Sequence, residues 1–130
     1  MASKVKAVVV SLIPMTPAQR VKFEEGIAAF PSFCHEWEQK LRDRELNNLD
    51  HLAWQVRDGY ETATYIGYSN VESCETKPTR TTLLGKLKYE ELRYYLVGKT
   101  VDEAKHAKPK VIGTTDTLEI FSWDRDRWFY

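Results

Sequence analysis

Residues Leu52–Tyr68 read LAWQVRDGYETATYIGY, and this stretch predicts a β-hairpin at the centre of the fold. The pair Asp58-Gly59 separates two runs that are rich in aromatic and β-branched residues. Both central residues of a type I′ turn need a positive φ, which glycine adopts freely and aspartate tolerates. In the first run, Trp54 and Val56 alternate with polar or small residues, which is the period of a half-buried strand.

On the N-terminal side of the hairpin, the sequence predicts one strand and two helices. The dense β-branched run Val5–Ile13 favours a central strand that is covered on both faces. Thr16 is a good N-cap and proline suits the first helical position, so a helix is expected over about Pro17–Ala29. A second helix is expected after Pro31, because apolar residues recur there at helical spacing: Phe33, Trp37 and Leu41.

On the C-terminal side, the segment Asn70–Thr82 has no hydrophobic period, which predicts a long loop. We expect this loop to be the most mobile internal segment and to become ordered when a partner binds. From Leu83 onward, leucines at helical spacing predict a third helix that ends before Gly98. The capping box Thr100–Glu103 opens a short helix. Two strands are expected beyond it, a short edge strand at Val111-Ile112 and a last strand over Thr117–Trp123.

These elements predict an α+β fold, with an antiparallel sheet of about four strands and helices on one face. A ferredoxin-like β-α-β-β-α-β order with one inserted helix fits them, and a less regular α+β sheet that includes the Val111 strand is the alternative. The length of 130 residues predicts a single domain over 1–130.

One family resemblance rests on the segment Val8–Pro17 followed by Phe23, less than a quarter of the chain. It resembles the opening strand and first helix of an RNA-recognition motif, and Thr64–Tyr68 resembles the second aromatic motif of that family. The resemblance implies a sheet whose aromatic side chains stack on RNA bases. The first strand here has no aromatic residue, so the sequence assigns no family.

Charge, cysteine content and hydropathy narrow the compartment and the classes of partner that are expected for the chain. Nineteen basic and nineteen acidic residues balance, so no global charge favours nucleic acid or an anionic membrane. Cys34 and Cys74 favour two unpaired thiols in a reducing compartment, with a single bridge as the alternative. The apolar run Ala7–Ile13 is too short to cross a membrane and has no small-residue cleavage site. A cytoplasmic chain without a membrane partner is expected.

The sequence shows no catalytic set, and neither a cofactor nor a metal is expected. No glycine-rich phosphate loop and no nucleophile elbow is present, and the three histidines lack the close spacing of metal ligands. Asp124 and Asp126 share a face of a strand and can bind a cation in principle. Because Arg125 and Arg127 interleave with them, the pattern favours a strand end of alternating charge.

The first functional hypothesis is a small non-enzymatic protein that binds another protein or a second copy of itself. Aromatic residues dominate the binding energy of many interfaces, and the chain ends on three of them. The predicted interface residues are Trp128, Phe129 and Tyr130 in the tail, with Trp54 and Tyr65 in the hairpin.

A second hypothesis is a module that binds nucleic acid or a phosphate ligand through two basic segments. The first segment contains Lys77, Arg80, Lys86 and Lys88, and the second contains Lys105, Lys108 and Lys110. A third hypothesis, held below the other two, is an enzyme whose site forms at a homo-oligomer interface with acids such as Glu61, Glu72 or Glu75.

Overall fold

The computed structural model describes residues 5–6 and 15–130. Two helices and seven strands occur in these residues, in the order β1 Val5–Lys6, α1 Pro17–Leu49, β2 Gln55–Arg57, β3 Tyr60–Tyr68, β4 Ser73–Pro78, β5 Leu83–Gly98, α2 Val101–His106, β6 Lys110–Asp124 and β7 Arg127–Phe129. The strands form one sheet in which the path β1-β4-β5-β3-β2 is hydrogen-bonded, and β6 pairs with β5 and with β7.

The chain divides into two compact units. Unit 1 comprises Met1–Glu38, Asn70–Tyr89 and Thr117–Tyr130. Unit 2 comprises Gln39–Ser69 and Glu90–Asp116. The predicted single domain over 1–130 stays a prediction.

The hairpin predicted at Asp58-Gly59 is confirmed. β2 and β3 pair antiparallel, and Arg57 lies opposite Tyr60. The two turn residues have φ values of 52° and 81°, the left-handed pair that a type I′ turn requires. The first strand is shorter than predicted, because it begins at Gln55 and not at Leu52.

The two helices predicted on either side of Pro31 are one helix of 33 residues, α1. Its start agrees with the prediction, since Pro17 is its first residue and the Thr16 hydroxyl accepts a hydrogen bond of 3.1 Å from the Gln19 N–H. A proline inside a helix removes one backbone hydrogen bond and crowds the preceding turn. Here Phe30 is fully buried on one side of Pro31 and its ring lies 5.9 Å from that of Phe33 on the other side, so continuous packing offsets that cost.

The loop predicted over 70–82 and the helix predicted from Leu83 are wrong, because these residues form a long antiparallel hairpin. β4 pairs with β5 from Ser73 opposite Lys88 to Pro78 opposite Leu83. The connecting turn closes with a 2.7 Å hydrogen bond from the Thr79 N–H to the Thr82 carbonyl. Every second residue in the first part of β5 is buried, namely Leu83, Gly85, Leu87 and Tyr89. The leucines at positions 83 and 87 satisfy a helical spacing and a strand spacing at once, and the tertiary pairing selects the strand.

The predicted four-stranded ferredoxin-like sheet with helices on one face is therefore wrong. A β-α-β-β-α-β order needs a second long helix where β5 lies, and α2 has only six residues. The two C-terminal strands predicted separately are one 15-residue strand, β6. The arrangement implied by the resemblance to an RNA-recognition motif is wrong for the same reason. Of the predicted first strand, Val5-Lys6 forms β1 beside β4, and residues 7–13 lie outside the described residues.

Unit 1 has an aromatic core. Phe121 of β6 packs edge-on against Phe33 and Trp37 of α1, with ring centroids 4.7 and 5.0 Å apart. A disulfide joins Cys34 of α1 to Cys74 of β4, and both residues are fully buried. The interpretation of these cysteines as unpaired thiols is wrong, and the alternative of a single bridge is correct.

Four polar side chains of α1, here called the polar row, hydrogen-bond to main-chain atoms near the end of β3: Glu38, Arg42, Glu45 and Asn48. In unit 1, the Glu38 carboxylate accepts a 2.7 Å bond from the Val71 N–H. In unit 2, Arg42 donates to the carbonyls of Tyr68 and Ser69. Because backbone groups away from water need partners, these side chains supply hydrogen bonds to main-chain groups at the end of β3 and just after it.

The polar row also explains Gly67. In unit 2, the Glu45 carboxylate accepts a 2.7 Å hydrogen bond from the Tyr68 N–H, and Asn48 donates to the Ile66 carbonyl at 2.9 Å. A Cβ atom at position 67 would lie 2.5 Å from the nearer Glu45 oxygen. The absence of a side chain there lets the helix approach the strand closely.

Candidate interaction surface

The sheet of unit 1 turns one side toward α1 and the other side toward solvent. Phe121 packs against α1, so its neighbours along the strand point to the opposite side, because side chains alternate along a strand. The same alternation on β4 and β5 places the unburied residues on the solvent side. We call this surface the open face, and define it by Lys77, Leu84, Lys86, Lys88, Leu118 and Ile120.

The open face contains aliphatic side chains in the middle of a strand that are not covered. Leu118 is 46% exposed and Ile120 is 48% exposed. Leu84 on β5, the neighbouring strand, is half-buried. Single exposed apolar residues are ordinary on a protein surface, whereas neighbouring ones on a regular strand are typical of a contact surface.

The open face is also positively charged. In the register of β4 and β5, Lys86 lies opposite Glu75, while Lys88 lies opposite Ser73 and Lys77 lies opposite Leu84. Opposite charges across a strand pair attract modestly, so one lysine has a partner in this register. Within the paired stretches 73–78 and 83–88, three lysines against one carboxylate leave an excess of positive charge, and the next acids of β5, Glu90 and Glu91, belong to unit 2.

The structure thus brings together three of the seven cations of the nucleic-acid hypothesis, namely the three lysines of the open face. Arg80 lies in the turn between β4 and β5, where its side chain is exposed and its carbonyl accepts a 2.9 Å bond from Gln19. Lys105 lies on α2, Lys108 lies between α2 and β6, and Lys110 is the first residue of β6. These last three residues are exposed and belong to unit 2.

The aromatic tail contributes to the core of unit 1. Trp128 is 8% exposed, its ring lies 4.6 Å from that of Phe30, and its indole N–H donates to the Gly26 carbonyl at 3.2 Å. Phe129 is half-buried and has the Arg127 guanidinium 4.4 Å from its ring centre. The two-residue turn at 125–126 returns the tail onto β6.

Tyr130 and the hairpin aromatics differ from one another in their surroundings. Tyr130 is 79% exposed, although its ring centre lies 5.5 Å from those of Trp37 and Phe121. Trp54 is half-buried. Tyr65 stacks on Tyr94 with ring centroids 5.0 Å apart. Of the five predicted interface residues, Tyr130 therefore has the most accessible side chain.

Tyr65 has a perturbed ionisation. Burial raises the pKa of its phenol above the ordinary value of 10.0, and the Glu45 carboxylate and the neighbouring Tyr94 raise it further. The shift keeps the phenol protonated, and its ring stacks on that of Tyr94.

Three open pockets are described, two in unit 2 and one in unit 1. Two grooves of about 340 and 360 Å³ in unit 2 share Ile112, and a polar pocket of about 250 Å³ in unit 1 is lined by Lys22, Trp123 and the turn at 124–126. The Asp124 carboxylate lies 3.9 Å from the Arg125 Nε in an exposed ion pair. Within residues 5–6 and 15–130, no three His, Cys, Asp or Glu side chains are placed to hold a metal ion.

The glutamates of the enzyme hypothesis are divided between the two units. Glu61 belongs to unit 2, and Glu72 and Glu75 belong to unit 1. Glu75 lies opposite Lys86 across a strand pair, an arrangement that stabilises a sheet.

Comparison of the chain with protein-family models, with curated proteins and with solved structures finds no match. In the part of the chain that is described, no helix is both long and apolar enough to span a membrane.

Proposed function

We propose that this chain is a non-enzymatic binding protein and that it binds a partner polypeptide on the open face. The observation that supports this function is the pair Leu118 and Ile120, which lie about half exposed on one strand beside a lysine-bearing strand. The aromatic tail is no longer the best candidate for this contact, because Trp128 is a core residue.

The partner is an extended or helical segment that carries both apolar and acidic side chains. Covering the exposed half of a leucine or isoleucine contributes about 1 kcal/mol, and a lysine at the rim adds attraction that salt screens. The apolar pair supplies affinity, and the lysines select an acidic sequence and speed the encounter.

Nucleic acid is the competing ligand for the same lysines. Phosphate contacts give affinity that falls steeply with salt, and they do not depend on the aliphatic pair. Substitution of Leu118 and Ile120 should therefore weaken the binding of a polypeptide and leave the binding of a nucleic acid unchanged.

The cytoplasmic location expected from the sequence rested partly on unpaired thiols. A buried disulfide is typical of chains that fold under oxidising conditions, so the bridge between Cys34 and Cys74 supports an oxidising compartment in its place.

The test is selection of displayed random peptides on the immobilised chain, followed by fluorescence anisotropy with the enriched peptides. The enriched peptides are expected to combine acidic and apolar residues. The Lys86→Glu, Lys88→Glu double variant and the Leu118→Ser, Ile120→Ser double variant should each weaken binding at least about tenfold. A matched control is the Arg57→Glu, Lys99→Glu double variant, which reverses two exposed cations in unit 2 and should bind as the wild type does.

A 20-nucleotide single strand and a duplex, labelled and measured at two salt concentrations, form the second arm. If the strand binds, if its affinity falls steeply with salt and if the Leu118→Ser, Ile120→Ser variant binds it normally, the ligand is nucleic acid and the proposal is wrong. Peptides that bind all variants equally would also exclude the open face.

A further inference from the structure

The first seven residues of β6, Lys110–Asp116, form a strand with one side edge that no described strand occupies. β6 pairs with β5 and with β7, and the β7 register covers only residues 122–124 of β6. At most one described strand therefore adjoins β6 along Lys110–Asp116, a segment of unit 2. Val111 and Ile112 point to opposite sides of the strand and are 52% and 54% exposed. A long, exposed β-branched edge is a template for pairing with another strand.

The sequence of this edge, KVIGTTD, is complementary to itself. In an antiparallel pairing with a two-fold axis at Gly113, residue 110 of one copy lies opposite residue 116 of the other. Lys110 of each copy then faces Asp116 of its partner copy, so the pairing contains two opposite-charge pairs. Between these ends, Val111 faces a threonine and Ile112 faces a threonine, which are β-branched pairs suited to a sheet.

The neighbours of the segment limit the pairing to it. Pro109 has no N–H and cannot extend the ladder beyond Lys110. At the centre, Gly113 faces its own copy, and two glycines bring no steric conflict on the axis. Lys110 and Asp116 of the same copy lie about 20 Å apart along a strand, so they satisfy each other only between copies.

We propose that a second copy of this chain binds along the β6 edge, by antiparallel pairing of Lys110–Asp116 about a two-fold axis at Gly113. The charge pattern favours a second copy as the partner, because the two-fold arrangement pairs Lys110 with Asp116 at both ends of the segment. This surface belongs to unit 2 and is separate from the open face, so either proposal stands if the other fails.

A ladder of seven residues is small for an interface, so the dimer is expected to be weak and to depend on concentration. Sedimentation velocity from low micromolar to millimolar concentration should show a monomer–dimer equilibrium. A chain that stays monomeric throughout this range would overturn the proposal.

The register is tested by cross-linking under mild oxidation. On the axis, the two copies of residue 113 have Cα atoms about 4.5–5.5 Å apart, within the range of a disulfide. Gly113→Cys should cross-link the two copies, and a Cβ there meets only Arg93 at 3.8 Å within its own chain. Val111→Cys is the control, because its two copies lie about 13 Å apart along the strands. Equal cross-linking of both variants, or none in either folded variant, would contradict this register.

The charges give a second test that does not depend on oxidation. Lys110→Asp places two acids opposite each other, and Asp116→Lys places two cations opposite each other. Each variant alone should weaken the dimer roughly tenfold or more. Mixed in equal amounts, the two variants should associate with each other at wild-type strength, and the double variant carrying both changes should recover it as well. If either single variant dimerises like the wild type, or if mixing restores nothing, the pairing is wrong.

Discussion

Glu38 is buried on α1, 6% exposed, and its carboxylate accepts a hydrogen bond from the main-chain N–H of Val71. In the sequence, Glu38 stands four residues before Arg42 in the order that favours an ion pair, a pattern typical of an exposed helix surface. No local pattern distinguishes a glutamate that points to solvent from one that reaches a backbone group of another element.

Removal of the Glu38 carboxylate leaves the Val71 N–H buried without an acceptor. Glu38→Ala is expected to lower the free energy of unfolding by about 1–3 kcal/mol, whereas Glu38→Gln keeps an acceptor and costs less. Urea unfolding at neutral pH measures both. Glu36→Ala, an exposed change two residues away, should cost under about 0.5 kcal/mol. Similar losses for Glu36 and Glu38 would show that the Val71 contact contributes nothing specific.

Tyr65 makes stability depend on alkaline pH. Its pKa is raised above 10.0 in the folded chain, so the unfolded chain loses the phenol proton first as the pH rises. Its contribution is fully present below about pH 10 and declines as the pH rises through the folded pKa. Tyr65→Phe should therefore flatten the loss of stability seen by urea unfolding between about pH 9 and 11. Tyr60→Phe, which changes a 44% exposed ring, should keep the wild-type slope, and an unchanged slope in Tyr65→Phe would contradict the assignment.

At the scale of elements, α1 is a helix that contains a proline near its middle. Pro31 cannot donate the hydrogen bond that the turn before it would accept, and its ring crowds that turn. The helix continues because Phe30 and Phe33 pack on both sides of the interruption. Tertiary packing therefore stabilises α1 in spite of its internal proline.

Pro31→Ala should raise the free energy of unfolding by about 1–3 kcal/mol, because it restores a helical hydrogen bond at a half-buried position. The matched control is Pro17→Ala at the first helical position, where proline has the favoured φ and no N–H is needed. That change should leave stability unaltered or slightly lower. Thermal unfolding of both variants measures the difference, and a Pro31→Ala chain less stable than the wild type would show that the proline ring itself is required.

The elements that the sequence predicted correctly are those with local chemical signals. Asp58-Gly59 specifies a turn, Thr16 specifies a helix start, and Thr100 caps α2 by accepting from the Glu103 N–H at 3.1 Å. The failures lie where two periods coexist, as at Leu83–Leu87, or where a breaker such as Pro31 is overridden by packing. Of the candidate site, the lysines of the open face could be named in advance, but their common side of a sheet could not, since the sequence suggested helix and loop there.

At the scale of the whole molecule, a single covalent bond connects α1 to β4 within unit 1. The bond joins positions 40 residues apart, so it restricts a long stretch of the unfolded chain. It also lies where the aromatic core and the β4–β5 hairpin meet the helix.

Reduction of this bond should lower the free energy of unfolding by about 4 kcal/mol in the chain-entropy model. Urea unfolding with and without a phosphine reductant measures the change. A Cys34→Ala, Cys74→Ala variant should be less stable than the oxidised wild type and should not respond to the reductant. A wild-type chain indifferent to reductant would show that the bridge does not form in solution.

The polar row has a consequence for how this chain tolerates substitution. Its members recognise main-chain atoms, which are the same whichever amino acid occupies the recognised position. A position whose main chain is contacted and whose side chain is half-buried, such as Ile66, should therefore accept more residues in a saturation library than Glu38 or Arg42. Glu38 and Arg42 have charged side chains of the kind found at variable surface positions, yet they would tolerate the fewest substitutions. The sequence of the segment that they contact would show no matching restriction.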